Sequence, residues 1–63
     1  MNSKKTLAER ERELQALLAT PAGRQELQEL EARYHLESGG HRPPGASIIT
    51  YILVHERNQG LIG

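Results

Sequence analysis

The chain has 63 residues, no cysteine, and a formal net charge of zero from eight Lys and Arg against eight Glu. A chain this short is near the lower size limit for an independent hydrophobic core, so we expect a single small helical domain over residues 1–63. The absence of cysteine excludes disulfides and thiolate metal sites. The neutral charge disfavours binding to nucleic acid. A partner surface is the expected source of additional stability.

The composition predicts a soluble protein of the cytoplasm. The first twelve residues contain no apolar stretch of the kind found in a signal peptide. The longest apolar run lies within residues 48–54 and is far shorter than the roughly 20 residues that span a bilayer. Binding at a membrane surface is not expected either, because the polar face of the first amphipathic segment carries charges of both signs.

The first predicted helix runs from about residue 7 to residue 19. Thr6 and Glu9 have the spacing of a capping box, in which the two side chains satisfy free amide groups at the helix start. The leucines that follow recur with a helical period: Leu7, Leu14, Leu17 and Leu18. The alternating charges of "ERERE" are predicted to form a solvated face on the other side.

The second predicted helix covers about residues 21–36. Thr20 suits the N-cap, and Pro21 suits the first helical position while disfavouring helical geometry at the residue before it. The apolar positions recur at i, i+3 and i+7: Leu27, Leu30 and Tyr34. The short break predicts an antiparallel helix hairpin, and its narrow leucine stripes leave apolar surface that another segment must cover.

Residues 37–46 are predicted to form a linker. Gly39 and Gly40 can end the second helix through a left-handed residue, and the pair Pro43 and Pro44 favours an extended backbone.

The C-terminal segment "SIITYILVHERNQGLIG" is compatible with a helix or a strand. Its β-branched residues favour a strand, which would have to pair between chains because no other segment resembles a strand. A helix from about residue 47 to residue 59 gives a wide apolar stripe, with Ser47 as N-cap and Gly60 as a left-handed residue that folds Leu61 back onto the last turn. We predict the helix, and therefore an all-α fold of an amphipathic helix hairpin plus a C-terminal apolar helix. The alternative is the hairpin plus a C-terminal strand that pairs between chains.

No catalytic residue, cofactor or metal ligand is predicted. The stretch "HERNQ" at residues 55–59 begins like the zinc-protease motif H-E-x-x-H, but Gln59 stands where the second histidine is needed. Ser38 falls in the linker and Ser47 at a cap, so neither is placed as a nucleophile beside a base. The histidines have no recognisable ligand spacing and are expected at the surface or at the boundary of the core: His35, His41 and His55.

The sequence therefore predicts a small non-enzymatic protein-interaction module, either an adaptor or a regulatory subunit, that forms a homo-oligomer. The predicted contact surface is apolar: Ile48, Ile49, Tyr51, Ile52, Val54, Leu61 and Ile62. In a monomer the same segment would instead cover the leucine hairpin, above all with Ile52 and Leu53. Tyr51 is the preferred contact residue because its amphipathic side chain flanks the apolar stripe.

A dimeric nucleic-acid-binding regulator is the alternative function. The predicted hairpin loosely matches a helix-turn-helix, but the second helix would bring glutamates towards the phosphates. The basic residues available for phosphate contacts are spread along the chain: Lys4, Lys5, Arg42 and Arg57.

Overall fold

Three α-helices make up the fold in a computed structural model that describes residues 4–63. Helix α1 covers Leu7–Leu17, α2 covers Pro21–Ser38 and α3 covers Ile48–Asn58. Every pair of helices is in contact, so α3 covers the hairpin formed by α1 and α2. The predicted all-α fold is confirmed, and the segment predicted as helix or strand is a helix. The predicted domain also includes residues 1–3, which lie outside the described residues.

Local capping chemistry sets the start of each helix. The Thr6 amide donates to Glu9 Oε1 at 2.9 Å and the Glu9 amide donates to Thr6 Oγ1 at 3.1 Å, which completes the predicted capping box. The hydroxyl of Thr20 accepts from the backbone amide three residues later in the same way. Ser47 does so at the start of α3, where the amide of Thr50 donates to Ser47 Oγ at 3.0 Å.

Left-handed glycines follow α2 and α3. Gly39 has φ 74° and donates its amide to the carbonyl of His35, so α2 continues two residues beyond its predicted end. Gly60 has φ 76°, and the Leu61 amide donates to the Glu56 carbonyl at 2.9 Å. Together with the bond from the Gly60 amide back into the last turn, this is a Schellman motif.

The residue that packs back after this turn differs from the prediction. The sequence predicts that Leu61 folds onto the last turn of α3, but this residue is 56% exposed. Ile62, one residue further, is buried in the core. A backbone bridge holds it there, because Ile62 pairs with Lys5 and the Gly63 amide donates to the Lys5 carbonyl at 2.9 Å.

Gly60→Val is expected to lower the free energy of unfolding by at least about 1 kcal/mol, because a β-branched residue is strained at φ 76°. Urea denaturation followed by circular dichroism measures the change. An added Cβ would meet only the Lys4 ammonium, at 3.9 Å, so steric overlap does not contribute. An unchanged stability would contradict the left-handed ending of α3.

The core is aliphatic apart from one tyrosine. Its buried residues come from all three helices and the C-terminal segment: Leu14, Leu27, Tyr34, Ile49, Ile52, Leu53 and Ile62. Leu14, Leu27 and Ile52, one from each helix, have almost no exposed surface. The central leucines of the hairpin, Leu14 and Leu27, are thus covered by α3, as the monomer interpretation of this segment predicts, whereas Leu7 and Leu18 stay exposed. No helix within residues 4–63 is long and apolar enough to cross a membrane.

Candidate interaction surface and the buried polar network

Three of the seven predicted contact residues lie in the core. Ile49, Ile52 and Ile62 are buried against the hairpin and have little or no surface for a partner to touch. The sequence is compatible with two roles for this apolar segment, a contact surface or a cover for the hairpin. In the folded chain these three predicted contact residues have the second role, because the narrow stripes of α1 and α2 need their side chains as cover.

The other four predicted contact residues remain accessible. Ile48 and Tyr51 are half-buried, whereas Val54 and Leu61 are 52% and 56% exposed. Ile48, Tyr51 and Val54 follow one another at intervals of three residues, so they form a ridge that crosses the surface of α3 obliquely. We call these three residues the α3 ridge.

Tyr51 also has a structural role. Its hydroxyl donates to the carbonyl of Gly40 at 2.9 Å, which fastens the linker after α2 to the surface of α3. The residue predicted as the best contact is therefore held between two parts of the chain. Its replacement would disturb the linker as well as any partner, so Tyr51→Ala cannot separate the two roles.

A groove lies between α2, the linker and α3, beside the α3 ridge. It consists of two shallow cavities of about 250 and 210 Å³ that share Gln28, Glu31 and Arg42. Tyr51 lines the first cavity and Ile48 lines the second. The guanidinium of Arg42 pairs with Glu31 at 3.0 Å, so the shared wall carries charges that offset each other.

A polar network that sequence reasoning missed joins the three helices. Glu56 of α3 is only 3% exposed, and its two oxygens accept from Nε and Nη2 of Arg10, each at 2.8 Å. The hydroxyl of Tyr34 donates to the same carboxylate at 2.7 Å. We call Arg10, Tyr34 and Glu56 the Glu56 network. The prediction that the charges of "ERERE" form a solvated face is wrong for Arg10, which turns inward to this carboxylate.

The pKa values of the network follow from burial and these hydrogen bonds. Burial, reinforced by the bond to Glu56, raises the pKa of Tyr34 to about 12. Burial alone would raise the pKa of Glu56, but the hydrogen bonds from Arg10 and Tyr34 outweigh it and hold that pKa below its usual value. The hydrogen bond to Glu56 raises the pKa of Arg10 further above neutrality. At neutral pH the network is an ion pair with a protonated tyrosine, an arrangement that joins helices.

The histidines occupy two separate places. His55 is buried, stacks on Tyr34 with ring centroids 4.1 Å apart, and has Nε2 3.1 Å from Glu37 Oε1. His35 and His41 contact each other in the groove, with ring centroids also 4.1 Å apart. Within residues 4–63, no group of three or more His or Glu side chains is arranged to hold a metal ion.

Comparison of the chain with protein-family models, with curated proteins and with solved structures finds no significant match.

Proposed function

We propose that the protein is a small non-enzymatic interaction module, an adaptor or regulatory subunit that self-associates through the α3 ridge. The observation that carries this proposal is the spacing of Ile48, Tyr51 and Val54. A row of apolar side chains at intervals of three is one of the ridge types that pack into the grooves of another helix. Helix α3 of a second copy of the chain offers grooves of this kind beside its own ridge. The predicted cytoplasmic location stays part of this proposal.

Exposure supports the proposal. Val54 is an aliphatic side chain with 52% of its surface exposed, on the helix with the most apolar sequence of the three. Leu61 lies just after this helix and is exposed to a similar degree. A contact that covered Val54 would remove apolar surface from water, which favours association. Leu61 lines a separate cavity with Arg10 and Tyr34, so it is not counted as part of the ridge contact.

Ion pairs of the basic side chains argue against the alternative function, a dimeric nucleic-acid-binding regulator. Two of the basic side chains that it needs are already paired with carboxylates. Lys5 pairs with Glu13, and Arg42 pairs with Glu31. Phosphate contacts by these residues would have to break ion pairs within the chain, so we favour the apolar contact.

Val54→Glu is the test of the proposed contact. A charge within an apolar helix–helix contact would be buried without a partner, so we expect self-association to weaken at least about tenfold. Sedimentation velocity over a wide concentration range measures the dissociation constant. The circular dichroism spectrum of the variant should still be that of a helical protein, because Val54 lies outside the core.

Leu36→Glu is the matched control. Leu36 is 82% exposed on α2, so this variant introduces the same charge at an apolar helical position outside the ridge. We expect its self-association to equal that of the unchanged chain. The proposal fails if the unchanged chain stays monomeric at the highest concentrations, or if the two variants weaken association equally. Association that weakens steeply with added salt would instead favour phosphate or ionic contacts.

A further inference from the structure

We infer that His35 and His41 form a binding site for a divalent transition-metal ion that prefers imidazole ligands in a tetragonal or octahedral geometry, with Ni²⁺ or Cu²⁺ as the representative ions. The inference goes beyond the proposed interaction and is independent of it. It starts from the contact between the two rings, whose centroids lie 4.1 Å apart in the groove between α2 and the linker. Imidazole nitrogen suits these ions, and solvent can supply the remaining ligands.

The hydrogen bond of His35 sets the tautomer that a metal needs. His35 Nδ1 lies 2.7 Å from the carbonyl oxygen of Gly40, and a carbonyl can only accept, so Nδ1 of the neutral ring carries the proton. The lone pair of the neutral ring is then on Nε2. A histidine that donates one ring nitrogen to a backbone carbonyl and binds metal with the other is the usual arrangement in protein metal sites.

The carbonyl of Gly40 is itself fixed from a second side. Tyr51 donates its hydroxyl to the same oxygen at 2.9 Å. The orientation of His35 is therefore set by the linker and, through it, by α3. Among residues 4–63, neither His35 Nε2 nor either ring nitrogen of His41 makes a hydrogen bond, so nitrogens of both rings are available as ligands.

The distance between the rings selects the geometry. A metal ion about 2.0 Å from an imidazole nitrogen lies about 3.1 Å from the ring centroid. Two centroids 4.1 Å apart then subtend an angle of about 80° at an ion bound to both rings. This angle is close to the roughly 90° between neighbouring ligands in tetragonal and octahedral sites, and well below the roughly 109° of a tetrahedral site. Ni²⁺ and Cu²⁺ therefore fit better than Zn²⁺.

Binding requires one ring to turn. The ring planes of His35 and His41 are tilted by 34°, so their lone pairs do not converge as the rings lie. His41 is an exposed residue of the linker and can turn about its Cβ–Cγ bond, which leaves its ring centroid in place and keeps the distance between the two rings. His35 is half-buried on α2. The charged side chains that line the cavity are Glu31 and Arg42, which pair with each other and leave little net repulsion of a cation.

Titration of the untagged full chain with Ni²⁺ at pH 7.5 tests the site. Isothermal titration calorimetry gives the affinity, and paramagnetic broadening of the histidine ring signals in NMR shows which rings bind. We expect one ion per chain, with broadening of His35 and His41 and sharp signals from His55. His35→Asn and His41→Asn should each weaken Ni²⁺ binding at least about tenfold, because each removes one of the two imidazole ligands.

Gln28→Ala is the control variant, since Gln28 lines the same cavity without an imidazole, and it should bind Ni²⁺ with unchanged affinity. His41→Asn is the decisive variant, because His41 lies exposed in the linker and its replacement should leave the helices intact. Circular dichroism verifies that the variant is folded. The inference is overturned if millimolar Ni²⁺ produces neither heat nor broadening, if His41→Asn binds as tightly as the unchanged chain, or if His55 broadens in place of the pair.

Discussion

Replacing Glu56 with alanine is expected to lower the free energy of unfolding by about 4 kcal/mol, which is most of the stability expected of a domain this small. The carboxylate accepts three hydrogen bonds at 2.7–2.8 Å, from Arg10 and from Tyr34. Its removal leaves a partly buried guanidinium without its main partner and a buried hydroxyl without an acceptor. Urea denaturation followed by circular dichroism measures the change.

Glu11→Ala is the matched control for this prediction. Glu11 is an exposed carboxylate on α1, and its loss should change the free energy of unfolding by no more than about 0.5 kcal/mol. Equal effects of the two substitutions would show that the Glu56 network contributes little.

The same carboxylate links stability to pH. The pKa of Glu56 in the folded chain is lowered below the ordinary value of 4.5, despite burial, by its hydrogen bonds with Arg10 and Tyr34. Its contribution is therefore fully present above pH 4.5 and is lost as the pH falls through the lower folded-state pKa. The stability of the unchanged chain should fall below pH 4.5 more steeply than that of the Glu56→Ala variant.

Gly23→Ala is expected to lower the free energy of unfolding by about 3 kcal/mol, although alanine is ordinarily the better helix former by about 1 kcal/mol. Gly23 is buried in the first turn of α2. A Cβ there would lie 2.1 Å from the carbonyl oxygen of Leu17, the last residue of α1. The backbone of α1 or α2 must therefore move to make room. Differential scanning calorimetry should show a Tm lower by roughly 15 °C.

Gly40→Ala is the control for this steric argument. An added Cβ at Gly40 would meet only the Ser38 hydroxyl, at 3.7 Å, which is ordinary van der Waals contact. We expect a Tm close to that of the unchanged chain. A Gly23→Ala variant that is as stable as Gly40→Ala, or more stable than the unchanged chain, would mean that α1 and α2 do not approach so closely.

The helices could be predicted because their boundaries depend on local chemistry. Thr6, Thr20 and Ser47 each accept from an amide three residues later in the chain, and this requires no knowledge of tertiary structure. Gly39 and Gly60 end their helices in the left-handed conformation for the same local reason. The preference of α3 for helix over strand followed from these end signals and from the lack of a strand partner.

The Glu56 network depends on contacts between distant parts of the chain. Arg10 and Glu56 are 46 residues apart, and nothing in "ERERE" marks the second charge of that stretch as the one that turns inward. One signal was present, because Glu56 lies four residues after Ile52 and three after Leu53 on the apolar side of α3. A carboxylate in that position must be paired, although its partner cannot be read from the sequence.

The contact surface was only partly predictable for a related reason. An apolar segment can serve the core or a partner, and the choice between them depends on how wide a gap the other helices leave. Ile49 and Ile52 fill the gap between α1 and α2, and Val54 stays outside it. The close approach at Gly23 has the same origin, since it depends on how tightly the hairpin turns.

The pairing of Lys5 with Ile62 brings the two ends of the described chain side by side. Hydrogen bonds from the Gly63 amide to the Lys5 carbonyl and from the Leu7 amide to the Gly63 carbonyl bring these two backbone segments together, so the described backbone nearly closes on itself. A circular permutant that joins these two ends and opens within the linker between α2 and α3 would keep all three helices and the Arg10–Glu56 pair. We therefore expect the mutual packing of the helices to define this architecture, whatever the order in which they follow one another along the chain.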